Sequence, residues 1–457
     1  MNTSVDPIED DDYALSRDVV ADVRQAVESR DSATLDRLLD PLHPADIADL
    51  LEQIGDVDRQ EMLAVWKGGV DGDVLSELEE SLREEVIDSL EPAELAEAVR
   101  DLESDDVVDL VEDLDDEQKD AVLDALAAPE RVAVEQALSY PEDSAGRLMQ
   151  REVVMGPDHW TVGEAIDFLR SSEDLPEHFY HMILVDPRMK PTGYVALGRL
   201  LGARRETKLV SIVESSFRTI PVDQDEGDVA YAFNQYHLIS APVVDDDDRL
   251  VGVITIDDAM IVLDEEHEED ILRLAGVGEG SLSDRVIETT KRRFPWLAVN
   301  LVTAIMASLV IAQFEAAIAQ LVALAVLMPI VASMGGNAGT QSLTVAVRSI
   351  ATKDLTGSNV WRVIRREVLV GLVNGVIFAV VMGAVGVIWF GSPLLGLVIA
   401  VSMVVNLVVA GLAGTVIPVV LEKLGVDPAL ASGAFVTTVT DVVGFFVFLG
   451  LAVVVLL

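Results

Sequence analysis

Asp441 lies near the middle of the last apolar run of the chain, about Ala429 to Leu457, and no Lys or Arg falls within an apolar run where it could pair with this carboxylate. A carboxylate at bilayer depth costs roughly 2.5 kcal/mol or more and marks ion pathways. With no base to neutralise it, the expected counter-charge is a cation that comes and goes. Another apolar run carries Pro329 and then Gly335-Gly-Asn-Ala-Gly-Thr-Gln341. Pro and Gly loosen the helical hydrogen-bond ladder, so carbonyls around Gly335 and Gly336 are expected to be freed toward protein or a watery cavity. Asn337, Thr340 and Gln341 add side-chain oxygens beside them. The competing reading of this run is a kinked packing seam, since small residues let helices approach closely. A single carboxylate ringed by carbonyls and amides suits hydrated Mg2+, which gives up water reluctantly, whereas Ca2+ calls for more direct carboxylate ligands. Asn406, Gly411, Gly414 and Pro418 extend the polar, flexible character to a further run.

These groups require a membrane scaffold, and the hydropathy supplies five spans: about Phe294–Gln313, Ile318–Val347, Val368–Phe390, Leu394–Leu421 and Ala429–Leu457. Several exceed the roughly 20 residues needed to cross, which predicts tilt or interruption. Lys291, Arg292 and Arg293 precede the first span, five bases lie between the second and third, and Lys423 lies between the fourth and fifth. With alternating spans these fall on one side, the cytoplasm by the positive-inside rule, so the N-terminus is expected inside and the C-terminus outside.

Charge divides the chain near Lys291. Of 79 acids and 32 bases, six acids and nine bases lie in residues 291–457, leaving 73 and 23 before them, hence net charges of +3 and −50. So acidic a surface repels nucleic acid and attracts cations, and it is also what keeps a protein soluble at very high salt, which points to a halophilic source. Most individual acids in the first 290 residues are therefore expected to be solvation. The absence of Cys excludes disulfides and thiolate sites. No basic-led apolar segment opens the chain, so no signal peptide is expected. No His cluster, nucleophile constellation or phosphate loop argues for an enzyme.

Residues 1–12 read as a disordered acidic tail, and 13–139 as helical throughout. Leu42-His-Pro-Ala-Asp-Ile-Ala-Asp-Leu-Leu51 and Leu90-Glu-Pro-Ala-Glu-Leu-Ala-Glu-Ala-Val99 nearly repeat, with an echo at Ser104–Val111, as in a superhelical repeat domain or a plain bundle. Tyr140–Met149 reads as a linker. Beyond it comes an α/β duplication: helix Thr161–Leu169, strand His181–Val185 and segment Gly193–Leu197, then helix Glu226–Tyr236, strand Ala241–Val244, an acidic turn and strand Leu250–Asp257. That order resembles a tandem CBS pair, over about 150–205 and 213–262 within 140–262. The resemblance implies a sensor, with a nucleotide as one candidate ligand. A connecting helix is expected over 263–293, and the pore domain over 294–457.

Gly335–Gln341, Gly425-Val-Asp-Pro-Ala-Leu430 and Thr440-Asp-Val-Val-Gly444, in this domain order, resemble the MgtE family of magnesium channels and transporters. The resemblance implies a homodimer with a pore at the subunit interface, Asp441 holding hydrated Mg2+ aided by Asn337, and Asp427 at the pore mouth. It further implies that Mg2+ bound among Asp105, Asp109, Asp258, Glu266, Glu269 and Asp270 holds the closed state. Two positions depart from the family pattern. Gly433 replaces an Asn eight residues before the pore Asp, and Ile261 replaces a regulatory Asp.

Overall fold

The computed structural model describes residues 15–66, 69–112, 114, 116–172, 175–176, 178–214, 217–277 and 286–457. The acidic tail read at 1–12 and the segment from Ser281 to Arg285 lie outside the described residues. The chain forms two compact units, Met1–Glu265 and Glu266–Leu457.

The first unit opens with ten short helices: α1 (Arg17–Ser29), α2 (Ser32–Leu39), α3 (Pro44–Gln53), α4 (Asp56–Val65), α5 (Gly72–Ser76), α6 (Glu80–Ser89), α7 (Pro92–Ala98), α8 (Ser104–Glu112), α9 (Asp116–Ala125) and α10 (Ala128–Ala137). The near-repeat in sequence becomes a repeated helix start. Pro opens both α3 and α7. In each, the side chain three residues after the cap reaches back to the cap amide, Asp46 accepting from His43 and Glu94 from Glu91. The helices close over one core in which Leu35, Leu50, Leu51, Met62, Leu75 and Leu110 are fully buried; each such side chain is worth about 1.5–3 kcal/mol.

Next come α11 (Ala145–Leu148), β1 (Met155–Pro157), α12 (Val162–Ser171), β2 (His181–Val185), β3 (Pro191–Ala196), α13 (Leu197–Gly202), β4 (Ile220–Pro221), α14 (Glu226–Tyr236), β5 (Ser240–Val244), β6 (Leu250–Thr255) and α15 (Ile256–Leu274). Two three-stranded sheets repeat one design, a parallel pair followed by an antiparallel pair, in the orders β1-β2-β3 and β4-β5-β6. The two carry matching register shifts, at Leu184/Val185 and Val243/Val244. The short strands β1 and β4 escaped the sequence reading because three and two residues show no alternation.

Two expectations change here. Tyr140–Met149 is no free linker: Ala145 and Met149 are buried in the core of the second CBS module, and the Ala145 and Gly146 amides donate to Gln224 and Val222 carbonyls. The expected start of a separate connecting helix at Leu263 is also absent, because α15 runs unbroken from Ile256; its acidic sequence has high helix propensity and no breaker.

The second unit contains α16 (Val286–Ala312), α17 (Glu315–Gln320), α18 (Ala323–Ala351), α19 (Val360–Phe390), α20 (Pro393–Lys423) and α21 (Pro428–Leu456). Five of these are long and apolar enough to cross a membrane: Thr289–Ala312, then α18, α19, α20 and α21. Lys291, Arg292 and Arg293 thus lie inside α16 and not in a loop before it. The second span starts at Ala323, not Ile318, because the chain turns at Leu321 after the short α17. α20 is the most enclosed of the five, over half of its apolar window being buried by its neighbours.

Candidate functional site

The expected break in the second span does not exist. α18 is helical from Ala323 to Ala351, through Pro329 and through Gly335–Gln341. The glycines serve close packing. A Cβ at Gly335 would collide with Nδ2 of Asn406, and one at Gly444 would lie 2.8 Å from the same atom, so Asn406 of α20 fills a slot between α18 and α21. Asn406 is fully buried and donates to the Val331 carbonyl at 2.8 Å, while its Oδ1 has no partner among the described residues. One turn along, a Cβ at Gly339 would meet Val436 at 2.6 Å and Thr440 at 3.5 Å. The two contacts run in opposite directions along α18 and α21, which puts Asp441 in register with the stretch around Asn337.

Around Asp441 the sequence-predicted donors fall on one face. Asn337, Thr340 and Gln341 are exposed, with Ser333 and Thr344 continuing the stripe, while Gly335 and Gly339 are buried on the opposite side and Gly336 lies between. Thr340 Oγ1 donates to the Gly336 carbonyl at 3.0 Å and Asn337 Nδ2 to Ser333 Oγ at 3.4 Å. Their oxygens keep lone pairs for a ligand. Asp441 is half-buried and has no hydrogen-bond or ion-pair partner among the described residues. Gly433, two turns earlier, has nothing within 4 Å of where a Cβ would stand.

Glu367, one residue before the apolar run read as the third span, is a buried acid that the sequence reading did not single out. It is only 8% exposed and accepts from Ser342 Oγ of α18 at 3.0 Å, with no basic partner among the described residues. Its backbone is gripped too: a Cβ at Gly411 would lie 2.6 Å from its carbonyl oxygen. An acid at helical spacing from Gly371 and Gly375 was the available signal.

At the start of α21, Asp427 caps the helix, accepting from the Ala429 amide at 2.7 Å, and stands 3.6 Å from the guanidinium of Arg273. Arg273 also holds Glu269 at 2.6 Å. Burial, then the nearby Asp427 carboxylate, pushes the Asp270 carboxyl above its usual range. Leu274 packs with Leu343, Val347, Ala429 and Val436, tying this end of α15 to α18 and α21. Arg273 carried no signal in sequence beyond being the base of the last turn.

The remaining acids, Glu266 apart, lie in the first unit. Asp105 and Asp106, at the start of α8, face Asp258 of α15. Burial and then the Asp258 charge push Asp105 well above the carboxylate range, and the same causes push Asp106 to about 7. Burial raises Asp258 to about 6 against hydrogen bonds from Thr255, which donates to it at 2.7 Å. Glu103 is raised by burial and by Glu152 and Asp257. Asp109, expected in this set, is held elsewhere: Arg83 binds it at 2.6 Å within the helical domain. Its charge still adds to the rise of Asp106. Among the described residues no three acidic or histidine side chains form a ready metal cage. Glu266 lies in the second unit and has an interaction partner.

A helical domain, a CBS pair and five helices long and apolar enough to cross a membrane are the layout of a multi-pass membrane transporter. The family model for divalent cation transporters named MgtE matches residues 328–451, the MgtE intracellular N domain matches 42–143, and the CBS domain matches 210–265. The chain is 33% identical over 311 residues to the magnesium transporter MgtE of Bacillus subtilis, covering 68% of this chain and 69% of that protein. It is 35% identical over 310 residues to the magnesium transporter MgtE of Enterococcus faecalis, covering 68% of each. It also resembles the cytosolic domain of the Mg2+ channel MgtE solved in complex with ATP, at 29% identity and a TM-score of 0.49, over 53% of this chain and all of that one. The chain belongs to the MgtE family of divalent cation transporters.

Proposed function

We propose that this protein is a Mg2+ channel of the cell membrane, a homodimer whose pore runs between α18 and α21 of the two copies, with Asp441 holding the hydrated ion. One observation carries the reading: an exposed stripe of Asn337, Thr340 and Gln341 stands in register with an unpaired carboxylate on an otherwise apolar bundle. Facing lipid, such a stripe would be costly; facing its copy across a watery path, it is a lining. The names of its relatives support Mg2+ as the cargo. The N-terminus is placed in the cytoplasm and the C-terminus outside, from the basic segments.

Closure is assigned to cytoplasmic Mg2+. Juxtaposed Asp105, Asp106 and Asp258 repel unless a cation neutralises them, which couples ion level to the arrangement of α8 and α15. Glu266, Glu269, Asp270 and Asp427 form a second acidic group at the other end of α15. The CBS crevice is proposed to take a nucleotide, where His181 meets Ser240 of the other module at 2.7 Å beside the Tyr194 and Phe217 rings. Calorimetry with ATP tests that assignment.

Patch recording with Mg2+ varied separately on each side is the decisive test. Asp441→Ala is expected to abolish Mg2+ current while leaving the dimer assembled, and unchanged current would overturn the pore assignment. Glu367 favours a second reading, a carrier of Mg2+, Co2+, Ni2+ or Mn2+ coupled to sodium or protons, because coupling needs a further buried titratable group. A reversal potential that follows the Mg2+ gradient alone selects the channel; one that also follows the proton or sodium gradient selects the carrier.

A further inference from the structure

α19 opens with three arginines, Arg362, Arg365 and Arg366, within its first two turns. With Leu369, Val370, Val373 and Asn374 they line a hollow of about 460 Å3 on the surface of the bundle. No carboxylate lines it, and none of the three guanidinium groups has an ion-pair partner among the described residues. The chain as a whole carries a net charge of −47. Elsewhere Arg59, Arg83, Arg131, Arg147, Arg205 and Arg273 each hold a carboxylate. The helix adds to the imbalance, since its first turn contains no acid and its dipole is positive at this end.

The hollow has two chemistries in sequence. The arginines form a rim at the start of α19, a helix long and apolar enough to cross a membrane. Below them Leu369, Val370 and Val373 are 50%, 44% and 59% exposed and lead into the apolar part of the span. Trp361, 78% exposed beside Arg362, is the residue type that settles at the interface. An inorganic anion would use the rim and leave the apolar wall bare. An acidic protein surface would do the same. A molecule that carries a phosphate and an acyl chain uses both.

We propose that this hollow binds an anionic glycerophospholipid, its phosphate on Arg362, Arg365 and Arg366 and one acyl chain along Leu369, Val370 and Val373. Planar guanidinium groups suit phosphate because they donate in pairs. A basic residue near an anionic lipid surface is worth roughly fivefold in binding, so three are worth roughly a hundredfold. The site is independent of which ion the bundle carries.

Native mass spectrometry of the full-length protein, titrated with phosphatidylglycerol and with phosphatidylcholine, tests it. The wild type is expected to retain phosphatidylglycerol in clear preference, and R362Q/R365Q/R366Q to lose that preference by roughly a hundredfold. L369Q/V373Q is expected to weaken lipid retention while inorganic phosphate competes no better than before. Equal binding of the two lipids by the wild type would overturn the proposal. So would a triple variant that keeps the preference, full displacement of lipid by inorganic phosphate, or arginines buried against a second copy. The chain has no cysteine, so a single Ser358→Cys marker and an impermeant thiol reagent report whether the variant inserts in the same direction. If the triple variant inverts, R362Q and R366Q singly decide the matter: each must lower lipid preference roughly fivefold, and an unchanged preference overturns the site.

Discussion

At the level of single residues, the carboxylates divide into two sets that answer to different tests. Asp106 and Asp258, raised to about 7 and about 6 from an ordinary 3.8, bind protons in the folded state that they release when unfolded. The close arrangement is therefore most comfortable below the ordinary carboxylate range and loses stability as pH climbs through 6 and 7. Mg2+ replaces the lost protons. We therefore expect Mg2+ to raise the melting temperature of the full-length protein more at about pH 8 than at about pH 5.5, by a few degrees, and Asp106→Asn to shrink the difference. Equal Mg2+ shifts at the two pH values would remove Asp105, Asp106 and Asp258 from the sensor. In the bundle, Gly433 has open space around it, so Gly433→Asn should fold and add an amide about 12 Å along the helix from Asp441. Competition fluxes should then favour Mg2+ over Co2+ or Ni2+ by about threefold more than in the wild type, a change under about 1 kcal/mol.

At the level of elements, Arg273 gives α15 a hold on the start of α21. It spans Glu269 and Asp427 with a tethered positive charge where three carboxylates would otherwise face one another. Arg273→Gln should leave that group more demanding of cation. The expected result is a Mg2+ concentration for half-closure that moves by roughly tenfold in patch recordings, with open-state current unchanged. An unchanged closure curve would make Arg273 a purely structural residue. How such elements could be foreseen varies. The five spans and the two CBS strand pairs were legible because length, apolarity and alternation are local properties of the chain. The unbroken α18 was not, since Pro and Gly predict loosening unless a neighbour occupies the space, and that neighbour, Asn406, lies about seventy residues away. Tyr140–Met149 was misread for the same reason. Its polar, Gly-containing sequence looks like a linker until Ala145 and Met149 are seen in the core of the second module. Asp441 stands out in the sequence because no base accompanies it; the burial of Asp106 and Glu367 does not, because it comes from partners distant in sequence.

At the level of the whole molecule, charge is distributed unevenly, −50 over residues 1–290 and +3 over the rest. Mutual repulsion of this size opposes compaction and is relieved by screening. The melting temperature should rise as KCl increases from about 0.1 M to about 2 M, and a flat profile would count against adaptation to high salt. Ionic strength must match across the Mg2+ experiments, since screening competes with weak carboxylate sites.

The three-helix notch at Asn406 constrains how this protein can change over generations. Gly335 and Gly444 face the same amide from two sides, so neither can acquire a methyl group while Asn406 keeps its size. A lineage that enlarges one glycine has to shrink Asn406 first or at the same moment, which makes the order of substitutions matter. Gly444→Ala alone should destabilise the bundle, and adding Asn406→Ser should restore part of the loss, so the pair should depart from additivity by about 1 kcal/mol or more.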